Sequence, residues 1–233
     1  MNWLTIAVLF MLILFALVGY KRGLIKKIVS LLSLIITLIL VSFLTPYISQ
    51  FIQERTPMYA SIKEQCLESI EEQLNTMESN TKSAQVEFIN QLPIPDSIKN
   101  SMIENNNADA YASLAVEQFS DYIGGYLAKW IVNAMSYVVA FVLIIIFLRF
   151  AFMTLDIVAR LPIINGINKI AGLIIGLVEG ILIMWVLFLV LTIFINTPIG
   201  QSVFTWINES SILTFLYNNN YLLKMITSVF VKH

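Results

Sequence analysis

The stretch NKIAGLIIGLVEGILIMWVLFLVLTIF, residues 168–194, indicates the fold class. It is apolar over more than the about 20 residues that a membrane-crossing helix needs. Glycine nevertheless recurs at every fourth position, as Gly172, Gly176 and Gly180, and Glu179 is the single acid inside the stretch. On a helix these glycines lie roughly along one side, and in lipid such small residues let two helix backbones approach closely. The stretch therefore predicts a transmembrane helix with a packing face.

The composition extends this prediction to the whole chain. Only 12% of the 233 residues are charged, against about 25% in soluble domains. Three further apolar stretches, residues 3–20, 28–44 and 130–148, accompany the fourth at residues 170–195. We therefore predict an all-α membrane protein with four transmembrane helices. The single cysteine, Cys66, excludes an internal disulfide framework.

These spans divide the chain into four parts. Residues 1–44 form a transmembrane hairpin, residues 45–129 an extracytoplasmic segment, residues 130–195 a second hairpin and residues 196–233 a C-terminal segment. In the extracytoplasmic part, apolar residues recur at helical spacing between acidic ones, which predicts a small helical cap. Aromatic residues among few charges in the last part favour an amphipathic helix in the membrane–water interface.

Basic residues beside the spans predict the orientation. Lys21, Arg22, Lys26 and Lys27 follow the first span and no basic residue precedes it, which is unlike a cleavable signal peptide. The positive-inside rule places this basic loop in the cytoplasm. Residues 45–129, with five basic and twelve acidic residues, are then outside. We expect a multi-pass plasma-membrane protein with both termini extracytoplasmic, whose basic cluster sets the topology or, alternatively, attracts anionic lipid head groups.

Two sequence patterns bracket most of the chain. In GYKRGLIKKIVSLLSLI, residues 19–35, the first span closes on Gly19, and Arg22-Gly23 precede the next span. In LPIINGINKIAGLIIGLVEGILI, residues 161–183, a Leu-Pro pair, a spacer and an Asn-Lys pair precede the three glycines; its motif residues are Pro162, Asn168, Lys169, Gly172, Gly176 and Gly180. Together these patterns resemble the colicin V production protein (CvpA) family of bacterial inner-membrane proteins.

The resemblance implies an integral membrane protein with a part in colicin V production, without an established catalytic residue or substrate. Residues 45–129 have no counterpart in the two patterns. Two positions depart from the family: Lys26 and Lys27 stand where an acid often follows Arg-Gly, and Glu179 stands where a basic residue often precedes the third glycine. A role carried by charge at those positions does not transfer to this chain.

The glycines and the intramembrane acid each allow two interpretations. The glycine face packs against another span of the same chain, or it joins copies of the chain in an oligomer. A charge near the bilayer centre costs about 2.5–3.5 kcal/mol, so Glu179 is expected to face protein or a water-filled path. It either hydrogen-bonds or forms an ion pair within the bundle, with Asn133, Ser33 or Thr37 as polar partners, or it belongs to an ion pathway.

Recognisable catalytic and ligand-binding motifs are missing from the sequence. The only histidine is His233, and no P-loop, dinucleotide fingerprint or zinc-protease motif occurs. The acids of the external segment lack the spacing of a calcium loop, and no basic, aromatic-laced surface suggests nucleic acid. We therefore predict a non-enzymatic protein without cofactor or metal, whose surroundings are the lipid bilayer and whose partner is a second copy or another membrane protein.

The predicted function is support of toxin production or export of the colicin V type, or of envelope homeostasis. The first alternative is a channel or transporter subunit with a glycine-packed oligomeric path. The second is a membrane adaptor that recruits a partner through residues 45–129.

Overall fold

A computed structural model describes residues 2–75, 81–92, 94, 96–153 and 166–228 of the chain. Within these residues the secondary structure is entirely helical. The helices are α1 (Trp3–Arg22), α2 (Leu24–Arg55), α3 (Met58–Asn75), α4 (Lys82–Gln91), α5 (Asp96–Glu104), α6 (Ala108–Leu114), α7 (Phe119–Met153), α8 (Gly166–Ile193), α9 (Pro198–Asn208), α10 (Ser211–Asn218) and α11 (Tyr221–Ser228). Four of them, α1, α2, α7 and α8, are long and apolar enough to cross a membrane. The prediction of an all-α membrane protein with four such helices is confirmed.

Two of the long helices continue well beyond the apolar stretches that predicted them. Helix α2 passes through Pro46 and ends at Arg55, and α7 begins at Phe119, before its apolar part. A hydropathy pattern detects only the apolar window of a helix, whereas backbone hydrogen bonding continues into polar sequence. Helices α2 and α7 are therefore each longer than the apolar stretch from which they were predicted.

The four long helices pack into a bundle in which α1 runs antiparallel to α8. Gly19, near the end of α1, meets Gly172, near the start of α8, while Leu12 lies beside Gly180. Helix α2 packs against both α7 and α8. At 1.5 Å per residue, the 20 residues of α1 span about 30 Å, the thickness of a bilayer's hydrocarbon core.

Helices α3 to α6 pack around the first turns of α7. The Tyr122 hydroxyl of α7 donates a hydrogen bond to the Met102 carbonyl of α5 at 2.7 Å. The Tyr122 ring stacks on Tyr111 of α6 with 4.9 Å between ring centroids. Phe88 of α4 packs edge-to-face on Phe119 at 5.7 Å. These contacts attach helices α3 to α6 to one of the four long helices, so they are continuous with the bundle.

The C-terminal part forms three short helices, α9 to α11, where the sequence predicted one. Asn219 and Asn220 separate α10 from α11, and Ser210 caps the start of α10. The Asn2 side chain donates to the Trp206 carbonyl at 2.6 Å, and Thr5 hydrogen-bonds Ser210 at 2.8 Å. These contacts hold the C-terminal helices against the beginning of α1.

Candidate functional site

The three glycines of α8 lie against α1 of the same chain. A Cβ atom on Gly172 would come within 2.7 Å of the Gly23 carbonyl carbon, and one on Gly176 within 3.0 Å of the Gly19 Cα. At Gly180 the added atom would meet the Phe15 side chain at 2.9 Å. Because the first two neighbours are backbone atoms, a side chain at Gly172 or Gly176 would push the helices apart. The structure thus brings Gly19 and Gly23 to the same contact as the glycines of α8.

Gly23 marks the turn between α1 and α2, and its conformation strongly favours glycine. Its φ of 76° lies in the left-handed region that other residues rarely adopt. A Cβ there would lie 2.6 Å from the Asn168 side-chain nitrogen. The oxygen of the same Asn168 amide accepts a hydrogen bond from the Leu24 N–H at 2.9 Å. Asn168 therefore caps α2 from another helix, which ties the two family patterns together in space.

Glu179 is held in an ion pair inside the bundle. The Lys27 ammonium donates to one oxygen of the Glu179 carboxylate, and the Ser30 hydroxyl donates to the other at 2.9 Å. The Lys27 side chain is 2% exposed and lies 5.7 Å from the centroid of the Phe15 ring. The sequence suggested Asn133, Ser33 or Thr37 as partners of the acid; that suggestion is wrong. The Thr37 hydroxyl donates to the Ser33 carbonyl of its own helix, and Asn133 accepts from Ser49.

The basic residues near the two patterns lie at one end of the bundle. Lys21, Arg22 and Lys26 are exposed, whereas Lys27, which pairs with Glu179, is buried. Lys169 is exposed, with its ammonium 5.8 Å from the centroid of the Tyr20 ring of α1. Their role in setting the orientation stays a prediction. Pro162 lies outside the described residues.

The sequence did not predict the polar cluster that lies between α2 and α7. Ser49 donates to Asn133, and the Gln53 side-chain nitrogen donates to Ser49 at 2.8 Å. These residues line a cavity of about 580 Å³ that also contains Tyr137 and Lys129. Ser42, Thr45, Ser49 and Gln53 recur at helical spacing within an otherwise apolar helix, and that recurrence is the signal that would have revealed the site.

Cys66 of α3 lies in the core, where it faces the loop that follows α8. It is fully buried, and the Asn196 side chain donates a hydrogen bond to its sulfur at 2.8 Å. Burial raises the pKa of the Cys66 thiol from 9.0 to about 11, against the smaller lowering effect of that hydrogen bond. Cys66 is therefore a neutral, enclosed core residue.

The acids of α3 form an exposed surface. Glu64, Glu68 and Glu71 are all exposed along the helix, and Lys63 pairs with Asp121 of α7 at 2.8 Å. No group of three His, Cys, Asp or Glu side chains that could hold a metal ion occurs in the part of the chain that the structure describes.

The sequence profile of the family described as colicin V production protein matches residues 4–75 and 108–220. This match covers more than half of the chain. The chain belongs to the colicin V production protein family. Neither the curated proteins nor the solved structures contain a match.

The family match includes the glycine contact, the Asn168 cap and both partners of the Lys27–Glu179 pair. It stops at the end of α3 and resumes at the start of α6, so α4 and α5 lie outside it. Family membership makes this CvpA-family chain a multi-pass membrane protein associated with colicin V production. The family is not one of known enzymes.

Proposed function

We propose that this CvpA-family protein acts without enzymatic chemistry in the plasma membrane, where it supports the production or export of a colicin V-type toxin or maintains the envelope. The observation that carries the proposal is the family match over all four long helices. The absence of a catalytic motif in the sequence supports the non-enzymatic part. Both termini and residues 45–129 are proposed to face outwards, as the basic loops indicate.

The contacts inside the bundle favour this role over a glycine-lined channel. The glycine face is covered by α1 of the same chain, and the Glu179 carboxylate is neutralised by Lys27. A path between subunits that used this face would require α1 to leave it. Flux through liposomes containing the purified protein, compared between wild type and Glu179→Gln, tests the channel alternative directly.

One structural feature favours the adaptor as a second candidate function. Helices α4 and α5 lie outside the family match, and their exposed charged side chains, Lys82, Glu87, Asp96 and Glu104, are mainly acidic. A partner particular to this chain would therefore meet it at residues 76–107 rather than at the shared helices. Such a partner would carry basic groups, because three of these four exposed charged side chains are acids.

A deletion strain tests the proposed function. The gene is removed from the bacterium that encodes it, and export of a colicin V-type toxin and uptake of a membrane-impermeant dye are measured. We expect at least one of the two to change, and the full chain supplied in trans to restore it. A strain whose toxin export and dye uptake both match the parent contradicts the proposal. Restoration by a chain that lacks residues 81–104, with normal membrane insertion, contradicts the adaptor alone.

A further inference from the structure

The cavity between α2 and α7 is lined mainly by residues with polar side chains. Its lining runs along α2 from Glu54 down to Ser42, a distance of about 18 Å at 1.5 Å per residue. Met225 of α11 forms part of its rim. A volume of about 580 Å³ lies within the range of small-molecule sites, about 300–1,000 Å³.

The deep end of the cavity offers hydrogen-bonding groups without ordinary partners. Pro46 has no N–H, so the Ser42 carbonyl one turn below loses its partner within the helix. The Tyr137 hydroxyl is buried near Ser42 and makes no hydrogen bond of standard geometry within the described residues. Unpaired polar groups are costly in a membrane unless they line a polar cavity. Both groups are therefore suited to a ligand that donates and accepts hydrogen bonds.

The middle of the cavity is preorganised. Asn133 and Ser49 are 5% and 4% exposed, and the bonds from Gln53 to Ser49 and from Ser49 to Asn133 fix their side chains. The Asn133 and Gln53 amides retain further hydrogen-bonding capacity, because an amide offers two donors and two acceptor lone pairs. A polar ligand entering the cavity would meet donors and acceptors already in position.

The entrance faces sideways as well as towards the helix ends. Pro46 and Gln50 are exposed on α2, and Met225 is 46% exposed on α11. Next to this opening, α2 presents Tyr47 and Phe51 to the surroundings. One acid, Glu54, and one base, Lys129, stand at the mouth. Aromatic side chains of this kind are enriched at the membrane–water interface, so a lipid head group can reach the opening, and a zwitterion matches its balanced charge.

We propose that the α2–α7 cavity binds the head group of a zwitterionic glycerophospholipid with a primary ammonium, of the phosphatidylethanolamine type, which enters sideways from the bilayer. The ammonium donates a hydrogen bond to the Ser42 carbonyl at the deep end. The phosphate and ester oxygens accept from Tyr137 and the Asn133 amide, and the acyl chains remain in lipid beside Pro46 and Met225. This site is independent of the function proposed above.

The experiment uses the full chain in vesicles of phosphatidylethanolamine and phosphatidylglycerol at three to one. A trace of phosphatidylethanolamine carries a photoactivatable group near the ester linkage, and crosslinked peptides are mapped by mass spectrometry. We expect adducts concentrated in residues 42–54 and 129–137. Loss of a single hydrogen bond in Tyr137→Phe should lower their yield about fivefold. The matched control is Tyr47→Phe, which removes a hydroxyl from a side chain outside the cavity and should leave the yield unchanged.

Two further arms identify the ligand. A phosphatidylcholine probe, whose quaternary ammonium cannot donate hydrogen bonds, should crosslink at these peptides about fivefold less. Glycerophosphoethanolamine, which has the head group without acyl chains, should not compete at millimolar concentration. Effective competition would mean that the site takes a soluble ligand, which overturns entry from the bilayer. Adducts spread evenly over lipid-facing positions and unaltered by Tyr137→Phe overturn the site itself.

Discussion

Lys27 and Glu179 place opposite charges inside the helical bundle, and neither is stable there without the other. Removing one partner of a buried ion pair typically costs about 3–5 kcal/mol, because the remaining charge is left unpaired. The Glu179 side chain retains 13% exposure, which favours the lower end of that range. The sequence allowed an ion pair for Glu179 within the bundle but did not identify Lys27 as its partner, because the two residues are 152 positions apart and Lys27 had an adequate explanation as a topology signal.

The first prediction concerns this pair. Glu179→Gln should lower the free energy of unfolding by about 3 kcal/mol, because Lys27 stays buried without a counter-charge. Replacing both residues, as Lys27→Met with Glu179→Leu, should recover most of the loss, since no charge is then buried. Unfolding in mixed micelles by titration with a denaturing detergent provides the measurement. Lys26→Met, at an exposed neighbour, serves as the control; equal stability of Glu179→Gln and wild type would contradict the prediction.

Cys66 gives a second prediction, about pH. Its pKa is near 9.0 in the unfolded chain and about 11 in the folded protein, because burial disfavours the thiolate. Unfolding therefore releases a proton between these pH values, and this contribution to stability is complete below pH 9 and declines as the pH rises towards 11. Unfolding titrations at pH 8 and pH 10 should show a larger decrease in stability for wild type than for Cys66→Ala. Equal pH dependence of the two proteins would show that the thiol is not enclosed.

The contact between α1 and α8 depends on glycine at matching positions of both helices. The sequence predicted the packing face on α8. It did not decide whether that face packs against another span of the same chain or against a second copy. Gly19 and Gly23 belong to the same contact, yet the sequence placed them only in the family-like pattern between the first two spans. Periodicity within one helix reveals a packing face, while the choice of partner depends on three-dimensional proximity. The lengths of α2 and α7 were unpredictable for a related reason, because polar turns of a helix have no hydropathy signal.

A third prediction tests this contact with substitutions of equal size. Gly176→Ala places a methyl group against the backbone of α1 and should destabilise the protein by about 1–3 kcal/mol, the usual cost of overpacking. Gly166→Ala adds the same methyl group at the start of α8, where nothing lies within 4 Å. Detergent unfolding of both variants provides the comparison. Equal stability of the two would mean that α1 does not pack against Gly176.

The whole molecule has two distinct ends. The turn at Gly23 and Asn168 lies at one end with the exposed residues Lys21, Arg22 and Lys169. The contact of Asn2 with the Trp206 carbonyl lies at the other end of α1, about 30 Å away. The hydrogen bond between Leu24 and Asn168 brings Lys169 to the same end of the bundle as Lys21 and Arg22. Which end faces the cytoplasm is a property of the bilayer and its charge asymmetry, so the orientation rests on the positive-inside rule.

The fourth prediction fixes that orientation by thiol labelling in intact cells. Native Cys66 is unsuitable as a reporter, because it is fully buried and should resist a maleimide from either side. In a Cys66→Ala background, Ser61→Cys places a thiol on the exposed surface of α3, and Ile167→Cys places one at the basic end, where Ile167 is 84% exposed. A membrane-impermeant maleimide should label the first in intact cells and the second only after the cells are opened, because the basic loops hold their end in the cytoplasm. The reverse labelling pattern would mean that the protein is inserted in the opposite orientation. Residues 45–129 would then face the cytoplasm, and so would any partner that they bind.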